Sequence, residues 1–498
     1  MKQVSTPSIR IRVARLSARV NIASCCGCLL FSSVNAEPIR IDSRREPMVD
    51  QYLIERFVGE AELRLHQPTP REVVLVSDRP WEGNLLFHVT VFRDETRFRM
   101  YYRGYHFNEA TGKTFPHKVI CYAESTDGIS WTRPELGIVE FNGSKKNNII
   151  IDTRAEGIAS NGAFAVFKDE NPECTADAKY KAIAIHRING KGLYPFKSPD
   201  GIHWSHMHYQ PGITKGAFDS HNLAFWDAER QEYRAYWRYF DKARGNVRAI
   251  RTAASKDFIH WSNPVDLSYP GSPNEHLYTN AIRPYARAPH IFLGFPKRFI
   301  LDRKPLVQHA NPGVSDAVFM SSRDGLNFKR WGEAFIRPGP QNDAWVNRNL
   351  FTSWGILKTR SAVPGTPDEL SLYVTEGYYT GPNTRLRRYT LRQDGFVSVQ
   401  APLSGGEFIS KPLLFTGNRL SINFSTSAAG SIRFELQDSE GAPLPGYTMN
   451  DCPEIFGDTL DHVVSWKNGP KVGHLKNQPI RLRCKLKDAD LFSLRFIP

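Results

Sequence analysis

One seven-residue pattern, Ser-x-Asp-Gly-x-x-aromatic, constrains this chain more than any other feature, because it recurs roughly every sixty to seventy residues. The copies are Ser125-Thr-Asp127-Gly-Ile-Ser-Trp131, Ser198-Pro-Asp200-Gly-Ile-His-Trp204, Ser255-Lys-Asp257-Phe-Ile-His-Trp261 and Ser322-Arg-Asp324-Gly-Leu-Asn-Phe328. A fifth, decayed copy is Leu391-Arg-Gln-Asp394-Gly-Phe396. The copies follow short strand-like runs such as Val119-Ile-Cys-Tyr-Ala, so Asp-Gly falls where a hairpin turn needs positive φ and the aromatic opens the next strand. A single Asp-Gly hairpin carries little information, but four copies keeping Ser, Asp and an aromatic at the same offsets define a repeat. Several strands per unit at a fixed period predict a β-propeller, and five copies predict five blades. The Ser and Asp are expected to bond the turn backbone and the aromatic to pack between blades, a structural role without chemistry.

Each repeat opens with a polar or acidic residue ahead of an apolar strand, and Glu82, Asn161, Asp219, Glu275 and Arg348 hold that place in successive units. The first strand of a propeller blade lines the central axis, so these five are expected to converge on one funnel. The segment from Glu37 to Arg79, with Met48-Val-Asp50 and Ala61-Glu-Leu-Arg-Leu-His66, is expected to complete the last blade. From about Ala401 the heptads stop, and alternating runs such as Ser431-Ile-Arg-Phe-Glu-Leu-Gln predict an antiparallel β-sandwich. The expected organisation is all-β: a signal peptide over 1–36, a five-bladed propeller over 37–400 and a sandwich over 401–498.

The leader is read from Lys2, Arg10, Arg12, Arg15 and Arg19, an apolar run from Val20 to Phe31, and the small-residue end Val34-Asn-Ala36. That is the layout of a secretory signal cleaved before Glu37, which predicts a secreted or periplasmic protein. No other stretch approaches the roughly 20 apolar residues of a membrane span. Cleavage lowers the net charge from +14 to +9, and the remaining cations are dispersed rather than clustered as nucleic-acid binding requires. A mildly basic surface suits an anionic partner such as a sulfated or uronic polysaccharide. Of seven cysteines, Cys121, Cys174, Cys452 and Cys484 lie outside the leader without metal-ligand spacing, and no metal or cofactor is expected. Cys452 and Cys484 either pair or stay as separately buried thiols.

A five-bladed propeller with Ser-x-Asp turns and a following sandwich resembles the glycoside hydrolases of families 32 and 43, and Ser255–Trp261 is very close to their recurrent turn. Trp81-Glu-Gly, Phe218-Asp-Ser-His-Asn222 and Glu275-His-Leu-Tyr-Thr-Asn280 are similar to a secreted, planctomycete-type subgroup. The resemblance implies three carboxylates on first strands of different blades. The chain departs from the pattern: blade one lacks the Asn-Asp-Pro-Asn or Arg-Asp-Pro opening, and blade two offers Asn161 where an acid is expected.

Glycosidic hydrolysis needs one carboxyl to protonate the leaving oxygen and one ionised carboxylate across the bond, and two acids facing one cavity push their pKa values apart. On that chemistry Glu275 is the candidate general acid, Asp219 the base or pKa partner and Glu82 the third carboxylate, with Asp50 in reserve. His221, Asn222, His276, Asn280, Arg298 and Arg348 are candidates to bind hydroxyls or clamp an anionic group, beside Asn161, and Trp81 to stack on a sugar face. Two other readings remain open at this point. One is a non-catalytic carbohydrate-binding propeller; the other is a sialidase-like enzyme, against which stands the lack of an evident arginine triad.

Overall fold

The computed structural model of the protein describes residues 37–498 apart from 109–110, 112, 115–117, 154–162, 310, 348, 379 and 382–383. The expected leader lies outside the described residues. Among the described residues the only helical elements are three short 3₁₀ turns, Ala176–Ala178, Asn342–Ala344 and Gly473–Leu475; all other regular structure is strand. No described helix is long and apolar enough to cross a membrane.

Five antiparallel sheets follow one another along the chain. The first orders Phe87–Asp94, Arg97–Gly104, Val119–Ser125 and Ile149–Asp152 edge to edge. The second orders Phe164–Lys168, Tyr180–His186, Gly192–Ser198 and Ser205–His206. The third orders Leu223–Asp227, Glu232–Asp241, Val247–Ser255 and Val265–Asp266. The fourth is split into two ladders, one through His276–Leu277, Lys297–Ile300 and Val314–Ala317, the other through Arg283–Tyr285, Ala288–Gly294, Met320–Ser322 and Lys329–Arg330. Pro296 sits at the split between Gly294 and Lys297, where a residue without an N–H cannot carry the ladder through. The fifth orders Phe351–Thr352, Glu369–Glu376, Arg385–Leu391 and, at its far edge, Thr69–Val76.

The first strand of each sheet reads as a nearly continuous apolar run because it is covered on both faces; Phe87–Asp94 is buried at all positions but Arg93. Buried side chains lie between consecutive sheets. Phe92 and Tyr101 pack with Phe164 and Phe196, Phe167 with Trp237 and then Phe292, and Leu293 with Leu372 and Phe396. Tyr373 and Leu386 of the fifth sheet pack with Val89 and Met100 of the first. Backbone bonds reinforce that last contact: Val91 N donates to Trp354 O at 2.8 Å, and Trp354 N to Val89 O at 2.8 Å.

The four heptads occupy equivalent hairpins after the third strand of sheets one to four. In each, the Ser Oγ accepts from the N–H three residues on, at 2.8 to 2.9 Å, and one Asp Oδ1 accepts two successive N–H groups at 2.7 to 2.9 Å. Gly128, Gly201 and Gly325 take positive φ there (74°, 78° and 75°), and Phe258 takes 67° in the copy that lacks glycine. Tyrosines of the preceding sheet reach these turns: Tyr101 donates to Gly201 O at 3.1 Å, Tyr236 to Gly325 O at 2.9 Å, and Tyr373 of the fifth sheet to Gly128 O.

The early segment divides. Only Thr69–Val76 joins the fifth sheet, as the closing expectation requires. Glu46–Pro47, Ile54–Gly59 and Glu62–Leu65 instead pair with Val397–Ala401, Gly406–Ser410 and Arg481–Ile497 in one eight-stranded C-terminal sheet. The physical reason is burial: Ile41, Met48, Leu53, Ile54 and Ala61 complete the core around Phe408, Phe434, Trp466 and Leu482. The long strands Arg419–Gln437 and Arg481–Ile497 pair along most of their length, with a bulge between Thr426 and Ser431. Cys452 and Cys484 are both buried free thiols in this core.

Candidate functional site at the heads of the inner strands

The inner strands begin on unusual backbone. His88, Ala281 and Leu350, near the starts of the first, fourth and fifth sheets' inner runs, hold φ of 55°, 44° and 56° without being glycine. Such conformations persist only where surrounding packing over-determines them. Here Phe87, Tyr105, Tyr278, Phe299, Phe351 and Tyr378 form one buried aromatic cluster drawn from three sheets. Phe87 meets Phe351 at 5.4 Å and Tyr378 at 4.9 Å, and Phe351 meets Tyr278 at 5.8 Å.

Five cations lie over these rings. Arg103 Cζ is 3.8 Å from the Phe87 centroid and 5.1 Å from Tyr105. Lys118 Nζ is 4.6 Å from Tyr105. Lys297 Nζ is 4.2 Å from Phe351 and 4.5 Å from Tyr278. Arg238 and Arg248 approach Tyr278 at 4.9 and 5.6 Å. Ring faces hold cations that have lost most of their water, and guanidinium and ammonium groups so held are oriented donors for an oxyanion.

Two histidines floor the nest. His88 and His221 stack at 5.1 Å with their rings 24° apart, and His221 Nε2 lies 3.5 Å from Thr90 Oγ1. Burial, and then the neighbouring His221, Arg103, Arg238 and Lys297, push the His88 pKa well below its ordinary value; burial lowers that of His221 to about 3. Both rings are therefore neutral at physiological pH. Neither nitrogen of His88 has a hydrogen-bond partner among the described residues. Burial, then Arg103, lowers Lys118 to about 8.

The sequence-derived candidates distribute unevenly around this nest. Asp219 borders it: its carboxylate pairs with Arg238 while its side chain stays 50% exposed. The neighbouring Ser220 donates to Tyr278 O at 2.7 Å. His221 belongs to the floor. Asn280 stitches the third and fourth sheets, Nδ2 donating to His221 O at 3.3 Å and Oδ1 accepting Ile282 N–H at 3.1 Å. Asn222 binds its own turn, donating to Phe218 O and Ser220 O. His276 Nδ1 accepts the Arg248 backbone N–H at 3.1 Å and so places that arginine. Asn161 and Arg348 lie outside the described residues.

Each of the three expected carboxylates sits in its own ion pair. Glu82 is 0% exposed and accepts Tyr102 Oη–H, from the second strand of the first sheet, at 2.6 Å and Arg133 at 2.9 Å. Burial raises its pKa despite Tyr102 and Arg133. Glu275 spends both oxygens on arginines, Oε1 on Arg298 at 3.2 Å and Oε2 on Arg330. Arg298 in turn holds Asp316 bidentately at 2.9 and 2.6 Å, which removes it from the expected clamp on substrate. Trp81 donates to Asn148 Oδ1 at 2.8 Å and packs edge-on to Phe141, not on the nest. Asp50 is tied to Arg323 at 2.9 Å.

Sequence reasoning missed Arg103, Lys118, Arg238, Arg248 and Lys297. A signal existed: an aromatic second strand leads into a cation in Met100-Tyr-Tyr-Arg103 and Ala235-Tyr-Trp-Arg238, and Phe295-Pro-Lys297 repeats it.

No family model matches the chain, and no curated protein matches it. Among solved structures it is similar to an N-acetylgalactosamine deacetylase from F. plautii in complex with blood group B trisaccharide, at 13% identity, TM-score 0.42, covering 66% of this chain and 94% of that one. It is similar to a glycosyl hydrolase from Bacteroides ovatus at 15% identity, TM-score 0.39, covering 72% and 96%. It is similar also to an endo-arabinase from Bacteroides thetaiotaomicron at 10% identity, TM-score 0.39, covering 66% and 97%.

Proposed function

We propose that the protein is a secreted, carbohydrate-active protein of the glycoside hydrolase type, a five-bladed β-propeller joined to a β-sandwich, exported by a leader over 1–36. Its ligand is a saccharide carrying carboxylate or sulfate. The observation that carries this reading is the nest itself: Arg103, Arg238 and Lys297 over the Phe87, Tyr278 and Phe351 rings, with half-exposed Asp219 at its edge. The buried rings orient the cations, and oriented cations take the anionic substituent of a sugar.

In the hydrolytic reading Asp219 is the base or pKa partner and Glu275, at the head of the neighbouring sheet, the general acid. Glu275 then has to leave Arg298 or Arg330 when substrate binds. Glu82 keeps Tyr102 and Arg133. The second reading, binding without turnover, is favoured by one specific observation: both Glu275 oxygens are already bound. Incubating the mature protein with polyuronides and sulfated polysaccharides, with reducing-end detection, separates the two. New reducing ends that vanish in Asp219→Asn support hydrolysis. Retention of the glycan without new ends supports binding, and neither retention nor cleavage refutes the proposal.

A further inference from the structure

A cavity of about 410 Å³ lies between the fourth and fifth sheets, and none of the nest's rings or cations lines it. That volume falls within the roughly 300–1,000 Å³ of small-molecule sites. Its walls come from Gln67–Arg71, the loop Phe335–Ala344 and the ends of Glu369–Glu376 and Arg385–Leu391. The loop is fixed rather than loose: Trp345 Nε1 donates to Gly339 O at 2.9 Å, and Gln67 Nε2 to Ala334 O at 3.1 Å.

Four arginines line the cavity, Arg71, Arg337, Arg385 and Arg387, against two acids, Asp343 and Glu376. Glu376 organises two of them through their Nε atoms alone, Arg385 at 2.9 Å and Arg387 at 2.9 Å. That leaves the terminal N–H edge of Arg385 unused by Glu376. Asn349 also lines the cavity and is 1% exposed. Its Nδ2 donates to Ala344 O at 2.8 Å, which fixes the amide orientation, and its Oδ1 accepts nothing among the described residues. A buried amide oxygen without a donor is costly, and a ligand hydroxyl relieves that cost. Pro338 and Pro340 add apolar wall that offers no side-chain hydrogen bond.

We propose that this cavity is a second saccharide site, taking one acidic sugar unit with its carboxylate on Arg337 and Arg385 and a ring hydroxyl donating to Asn349 Oδ1. The proposal rests on the carbohydrate reading of the nest, but its residues are separate from it. Ligand-observed NMR with D-glucuronate, D-galacturonate and D-glucose tests it on the mature protein. In a Lys297→Met background, which disables the nest, the uronates are expected to keep binding and glucose to bind more weakly. Adding Arg337→Ala or, with its buried shape kept, Asn349→Leu is expected to weaken uronate binding roughly tenfold or more. Should Lys297→Met not fold by circular dichroism, Arg337→Ala in the unmodified protein still reads out the loss of one uronate site. Uronate binding that disappears with Lys297→Met while the fold is kept overturns the second site alone. Equal binding of glucose, or indifference to both cavity substitutions, overturns it too. A protein that binds no saccharide at all overturns both sites.

Discussion

The Ser-x-Asp turns and the aromatic nest are built on the same five sheets, yet they obey opposite rules. The Ser and Asp side chains of each turn bond within seven residues, so the same bonds recur at Asp127, Asp200, Asp257 and Asp324 to within a few tenths of an ångström. The nest draws on the first, third, fourth and fifth sheets and takes a different set of side chains from each: Phe87 and Arg103, Arg238, Lys297 and Tyr278, and Phe351. Local bonding is copied along a repeat protein because the chain supplies both partners. A site is free to diverge unit by unit. The fifth copy marks the boundary between the two regimes, since Asp394, at φ 62° and fully buried, has left turn duty to accept Tyr285 at 2.7 Å, Arg287 at 2.8 Å and Arg45 at 3.2 Å.

The sharpest break of this comparison is kinetic. In the hydrolytic reading, Glu275→Gln lowers the rate by a factor of roughly 10² to 10⁴ with glycan binding nearly kept, whereas Asp257→Asn in the third turn leaves the rate unchanged; reducing-end release measures both. Next in size is stability. Asp394→Ala takes one of Arg45's two carboxylates and removes the acceptor shared by Arg287, buried Tyr285 and buried Ser493, and should cost about 3–5 kcal/mol, read from denaturant midpoints. Asp200→Ala loses two backbone hydrogen bonds at a part-exposed turn and should cost about 1–2 kcal/mol, so the decayed copy is the more sensitive one.

Two pH effects follow, smaller and of opposite placement. Partial burial alone would raise Asp200 and Asp257, but bonds from His203 and His260 and from turn N–H groups lower both to about 2. A carboxylate lowered on folding adds stability above its ordinary value, so this contribution is full above about pH 4 and disappears as pH falls toward 2. Thermal melts across that range should show the loss, and Asp200→Ala should flatten it. Lys118 lies at about 8, so it is charged below that pH and neutral above. Binding of an acidic glycan at the nest should therefore weaken by a small factor as pH rises through 8, and Lys118→Met should remove the dependence.

Much of the fold was legible because its determinants are short-range. The heptads mark the hairpin after the third strand in four sheets, and Thr69–Val76 closing the fifth sheet was within the expected segment. The strands from Ile39 to Leu65 were assigned to the wrong partner because strand composition does not encode which core a strand will complete; Ile41, Met48 and Leu53 chose the C-terminal one. Of the residues singled out in the sequence, Asp219 and His221 lie beside the nest because they immediately precede an inner strand, Leu223–Asp227. Glu82 and Glu275 hold equivalent places in sequence, yet Arg133 and Arg330, distant along the chain, take their carboxylates. The cations were not singled out because Arg103 and Arg238 sit within second strands and Lys297 opens one, and a charged residue on a strand reads as its solvated face.

The central claim is that the aromatic nest recognises an acidic saccharide. Isothermal titration of a galacturonate oligosaccharide into the Arg337→Ala protein, in which the second cavity is disabled, addresses it directly when compared with the same protein carrying Lys297→Met. The account predicts a loss of affinity of roughly tenfold or more with the fold retained, since a charge-assisted bond to the sugar carboxylate is removed. Equal affinity in the two proteins would contradict it.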